Sequence, residues 1–141
     1  VDRAFEIMGL EPRKCPTRKM AIHGYRPNPD LSNHMYVYGS DEELIRALIA
    51  ERPELGEPLS PKFGYTAAEV VWAVREEMAL TLDDVLARRV RMLFVDAREA
   101  KRVARRVAEL MAEELGCDEQ WIDTQVSEFE ALADRYVYQP K

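Results

Sequence analysis

Cysteine is scarce in this chain of 141 residues: Cys15 and Cys117 stand far apart and form no C-x-x-C pair. That argues against a disulfide scaffold or a cysteine-ligated metal, points to a reducing compartment, and leaves neither thiol with chemistry to carry. Histidine is as rare, and His23 and His34 have no i, i+4 partner, so both read as packed or exposed residues rather than ligands or bases. No apolar run approaches the roughly 18 to 20 residues that a bilayer span needs, and the first residues lack the charged-then-apolar layout of a signal sequence. Positive charge is not in excess. The net charge of −6 disfavours nonspecific attraction to nucleic acid or anionic lipid. There is also no G-x-G-x-x-G, the loop that a dinucleotide-binding unit places between strand and helix.

What is present is ordinary for a globular domain with a real core, 47% hydrophobic and 33% charged. The chain begins at Val1 without an initiator Met, and VDRAFEIMGL (residues 1–10) reads as the end of a helix stopped at Gly9, so a piece of a longer protein is expected. Residues 11–40 differ in kind. Pro12, Pro16, Pro27 and Pro29, with Gly24 and Gly39, break any long helix, while MAIHGY and HMYVYG flank the turn chemistry of RPNPD. The segment is expected as a small hairpin or a linker.

Helical signals then follow one another. Ser40 with Glu43 has the spacing of a capping box opening DEELIRALIAERP, whose stripe is Leu44, Ile45, Leu48 and Ile49. ELGEPLSPKFGY reads as a connection leading to a second box, Thr66 with Glu69, and to a helix whose inner face is Ala67, Val70, Val71, Val74 and Met78. Thr81 caps the next helix, with Asp83 and Asp84 at its positive end and Leu82, Val85, Leu86 and Leu93 as its stripe. Arg89 falls on that stripe, so it must reach an edge or meet a carboxylate such as Glu77 or Asp84. Asp96 caps a long helix ending at Gly116, and a last helix starts at Asp118 with Trp121, Ile122, Val126, Phe129, Leu132, Ala133 and Tyr136 inward. The expected fold is all-α, a bundle-like domain of about five helices behind an irregular N-terminal segment.

The sharpest charge feature runs from Arg88 to Arg106, with eight basic and two acidic residues. A nucleic-acid-binding module would use it. In an acidic chain the simpler reading is a solvated face paired with Glu99 and Glu109. A protein-interaction or oligomerisation domain is the other alternative, with Trp72 and Trp121 as anchors.

Residues 67–116, above all EEMA at Glu76 to Ala79, TLDDVLARR at Thr81 to Arg89 and FVDA at Phe94 to Ala97, resemble the C-terminal helical domain of FAD-dependent, aerobic-type glycerol-3-phosphate dehydrogenases. The resemblance extends towards Val137, and CPTRKMAIHGY (residues 15–25) looks like the family's connector from its flavin domain. It implies residues 1–40 as that connector, 41–138 as the helical domain and 139–141 as a tail. Such enzymes oxidise glycerol 3-phosphate to dihydroxyacetone phosphate and pass electrons through FAD to a quinone, on the inner face of the cytoplasmic membrane. By the same resemblance this chain holds no catalytic, FAD-binding or metal-binding residue. Its partner is the upstream flavin domain, not nucleic acid, and Glu77, Asp83, Asp84, Arg88 and Arg89 are its candidate bracing or interdomain residues.

Overall fold

Alanine and valine recurring every three to four residues make Ala97–Leu115 the central helix of the molecule. In the computed structural model, which describes residues 2–11 and 14–138, Ala100, Val103, Ala104, Val107, Ala108 and Met111 of this helix are buried. Pro12 and the expected 139–141 tail lie outside the described residues. Small side chains on this face let neighbouring helices approach closely. In chain order the helices are α1 (Asp2–Ile7), α2 (Glu42–Glu51), α3 (Ala67–Glu77), α4 (Met92–Val95), α5 (Ala97–Leu115) and α6 (Glu119–Ala133). Helices α3, α4 and α6 all pack on α5, and α2 packs on α3.

The all-α expectation holds, with one small antiparallel hairpin added: β1 (Pro58–Ser60) and β2 (Phe63–Thr66). It lies in the stretch expected as a plain connection. Pro61 fixes the turn, the Lys62 N–H donates to Ser60 Oγ at 3.0 Å, and Leu59 and Ser60 are buried. No strand forms where the N-terminal hairpin was expected. HMYVYG instead winds into a 3-10 helix, His34–Asp41, because Asn33 Oδ1 accepts from the Met35 N–H at 3.1 Å and the 3-10 repeat turns Met35 and Tyr38 to the same inward side. At the end of this turn Gly39 takes φ 56°, and any side chain there would fall on the Gly24 carbonyl.

Further details depart from expectation, Tyr136 among them: expected on the inner side of the last helix, it lies in a 3-10 turn beyond the end of α6 and is 50% exposed. The Ser40–Glu43 box does not form: the backbone enters α2 already helical at Asp41, which makes no side-chain cap and is taken by His23. Leu44 is 54% exposed while Ile45 beside it is fully buried. Met78, expected inside, is 82% exposed, because it closes α3 in the left-handed region at φ 58° while the Ala79 N–H reaches back to the Ala73 carbonyl at 2.9 Å. The other caps stand where expected. Thr66 and Glu69 form a capping box, Asp96 accepts from the Glu99 N–H, Gly116 ends α5 at φ 70°, and Asp118 accepts from the Trp121 N–H.

Candidate functional site

All five charged residues singled out by sequence meet at the junction after α3. The chain resumes helical structure at Leu82 but widens to a π-helical stretch over Asp84–Arg89, where the Val90 N–H donates to the Val85 carbonyl. That widening turns Arg89 back onto the end of α3. Its Nε donates to Glu77 Oε2 at 2.9 Å, one terminal nitrogen to the Asp84 carbonyl at 2.8 Å, and the other to the Glu77 carbonyl. A cation therefore satisfies a terminal carbonyl of α3, at the negative end of its dipole. The Arg89 side chain is 20% exposed and paired, as its place on an apolar stripe requires.

Asp84 stabilises the start of the same segment. Its Oδ2 accepts from the Leu80 N–H, the Thr81 N–H and Thr81 Oγ1, and its own N–H donates back to Thr81 Oγ1 at 3.3 Å. Partial burial works against the charge, but these donors and Arg88 prevail and hold the carboxyl below its ordinary value. Arg88 lies 2.7 Å from Asp83 and 3.5 Å from Asp84. The five residues close on one another and on backbone groups.

Sequence reasoning missed a second, more deeply buried cluster. Glu69 is 1% exposed. Its Oε2 accepts from the Thr66 N–H at 2.7 Å and from Thr66 Oγ1 at 3.2 Å, and meets His34 Nε2 at 3.1 Å, while Oε1 accepts from the Tyr38 hydroxyl at 3.2 Å. Burial, then the Glu69 charge, pushes the Tyr38 hydroxyl far above the ordinary range, so it stays a donor. The His34 ring sits edge-on to Tyr65 at 5.3 Å, over Gly64. The available signal was Glu69 itself, the lone polar residue in the run AAEVVWAV. His23 likewise meets Asp41 at 2.7 Å, so both histidines have a carboxylate that is remote or unremarkable in sequence.

A third cluster ties the hairpin to α5. Glu99, 5% exposed, accepts from Arg102 and Ser60, with Lys62 at 3.6 Å; Arg102 first, and Ser60 next, bring its carboxyl down to about 2. Lys62 also reaches Asp96, the α5 cap, at 2.9 Å. Most of the basic stripe is paired locally, Arg91 having no ion pair among the described residues. Lys101 pairs with Asp134, Arg102 with Glu99, Arg105 with Glu119 and Asp123, and Arg106 approaches Glu109, while Arg98 donates to the Tyr138 carbonyl.

Among the described residues no group of histidine, cysteine and carboxylates could hold a metal, and no buried side-chain polar atom lacks a partner. Every buried charge is thus already consumed in holding one element to another. Both cysteines are free; Cys15 is exposed, and a hydrogen bond with Thr17 lowers its thiol. No helix among the described residues is long and apolar enough to cross a membrane.

The sequence model of the C-terminal domain of alpha-glycerophosphate oxidase matches residues 15–122. The chain is similar to glycerol-3-phosphate dehydrogenase of Mycobacterium leprae, 34% identical over 116 residues, covering 82% of this chain and 19% of that protein. It is also similar to a probable mitochondrial glycerol-3-phosphate dehydrogenase of Caenorhabditis elegans, 31% identical over 137 residues, with the same shares of 82% and 19%. A mitochondrial glycerol-3-phosphate dehydrogenase of Schizosaccharomyces pombe is 39% identical over 59 residues, 42% of this chain and 9% of that protein. The chain spans about a fifth of the length of the first two relatives. No solved structure matches it. With residues 15–122, well over half of its length, matched, the chain belongs to the family of C-terminal domains of alpha-glycerophosphate oxidase.

Proposed function

We propose that this chain is the non-catalytic C-terminal domain of an FAD-dependent glycerol-3-phosphate dehydrogenase and that it packs against and braces the domain carrying flavin and substrate. The parent enzyme would oxidise glycerol 3-phosphate to dihydroxyacetone phosphate and deliver electrons to a quinone at the inner face of the cytoplasmic membrane. The family match and the relatives' names support the parent activity. The observation that supports a bracing role is internal rigidity: Arg89 holds the end of α3 to the π-helical stretch through three donors, with Glu77, Asp83, Asp84 and Arg88 around it. Residues used up in this way support rigidity rather than proton transfer.

The residues present do not fit FAD. The described strands form one antiparallel hairpin, whereas a dinucleotide site needs a parallel strand, a glycine-rich turn and a helix N-terminus together. No step of the reaction is therefore assigned to a residue of this chain. Titrating the purified chain with FAD and recording the flavin spectrum tests the reading. Free-flavin absorbance with no retained cofactor after gel filtration is expected, and a stoichiometric complex would overturn it.

A further inference from the structure

The segment before α2 has two unlike sides. Five of its polar side chains are committed to the helices: His23 to Asp41 at 2.7 Å, Arg26 to Glu42 at 2.8 Å, Asn33 to Glu42 at 3.2 Å, and His34 and Tyr38 to Glu69. The Ser40 N–H donates to the Gly24 carbonyl at 3.1 Å, which sets the turn at 22–25 beside the 3-10 helix. The apolar side chains are left out of this arrangement: Met20, Ile22, Tyr25, Tyr36 and Val37 are between 43% and 79% exposed. A pinned segment with outward apolar groups is a layer lacking its second neighbour.

Charge says what kind of neighbour. Between Glu11 and Asp30 the sequence holds five basic residues and no acidic one, in a chain of net charge −6. The described ion pairs of this stretch use His23 and Arg26 and leave Lys14, Arg18 and Lys19 without one. Arg18 and Lys19 line one shallow cavity with Met20, Ile22 and Tyr25, so cations edge the apolar groups. A complementary surface is apolar and rimmed by carboxylates. A second copy of this chain in a two-fold contact would bring cation rim against cation rim. A neighbour on the same polypeptide instead benefits from a high effective concentration, so a patch of a few side chains suffices. The relatives carry about four-fifths of their length outside the matched part.

We propose that residues 14–37 form the docking face for the flavin domain of the same polypeptide, met by an apolar surface edged with Asp and Glu. This rests on the functional reading above, and moves the interdomain contact away from Glu77, Asp83, Asp84, Arg88 and Arg89, which are engaged within the domain. The test compares hydrogen exchange of peptides covering 14–37 in this chain and in the full-length flavoprotein that carries it. Exchange slowed about tenfold or more in the full-length protein is expected, and Ile22→Asp with Val37→Asp should abolish that protection. Both side chains are exposed, so the double variant should leave the melting temperature of the 141-residue chain unchanged. A full-length protein that holds flavin yet leaves these peptides unprotected overturns the docking face alone. Protection that arises in this chain only on adding anionic phosphatidylglycerol vesicles, or only as it dimerises, also overturns it. A full-length protein that binds no flavin overturns the functional reading and the docking face with it.

Discussion

At the scale of single residues, Glu69 and Arg89 each hold several partners at once, and the number of groups each satisfies sets them apart from an exposed pair. Glu69 is 1% exposed and satisfies donors on Thr66, Tyr38 and His34. Its removal strands all of them, so Glu69→Ala should cost about 3 kcal/mol in urea unfolding, whereas an exposed pair such as Arg105 with Asp123 is worth about 0–1 kcal/mol. A Glu69→Ala loss no larger than that of Arg105→Ala would show the cluster to be incidental. Arg89 makes a subtler case because its two carbonyl acceptors need a planar fork. Arg89→Lys keeps the charge but cannot reach both carbonyls and Glu77 together, and a loss of about 1–2 kcal/mol is expected. A neutral Arg89→Lys would mean that charge alone fixes the end of α3.

Among the elements, α3 shows how a helix can end at a strained position. Met78 holds a left-handed conformation at φ 58° with 82% of its surface exposed, so glycine should relieve the backbone at no loss of packing. Met78→Gly is expected to stabilise the domain by about 0.5–1 kcal/mol, a rise of a few degrees in a thermal melt. A fall would show that the exposed thioether makes a contact worth more than the strain. The same helix marks what sequence could convey. Its box at Thr66 and Glu69, the Asp96 and Asp118 caps and the Gly116 stop are local signals, each depending on residues three or four apart, and each stands where expected. Arg89 too was readable, since an arginine on an apolar stripe demands a nearby acid. The 3-10 turn at 34–41 and the His34–Glu69 contact were not, because their partners lie 31 and 35 residues apart and alternating aromatic residues look the same in a strand. The hairpin at 58–66 was hidden for a related reason: Phe63, Tyr65 and Thr66 are strand-like, but Pro58, Pro61 and Gly64 among them read as a connection, and the burial of Leu59 and Ser60 and the bond to Glu99 on α5 are not local signals.

For the molecule as a whole, the joints between elements are closed by carboxylates, and that makes its stability depend on pH in a definite direction. Glu99 joins the hairpin to α5, Asp96 caps α5 and binds Lys62, and Asp84 closes the turn after α3. All three carboxyls are held below their ordinary values, Glu99 falling from 4.5 to about 2. A group whose pKa is depressed on folding contributes stability above its unfolded pKa and loses it as pH falls through the folded one. The melting temperature should therefore stay level from neutral pH down to about 5, then decline steadily towards pH 2 as these joints are protonated. Glu99→Gln separates this cause from the general build-up of positive charge. The variant should be less stable than the parent chain at pH 7, and the gap should narrow through the window from 4.5 to about 2, because the parent loses there what the variant never had. Parallel melting curves for the two across that window would show that Glu99 is not one of the acid-sensitive joints, and would shift the acid response to the remaining carboxylates and the chain's net charge.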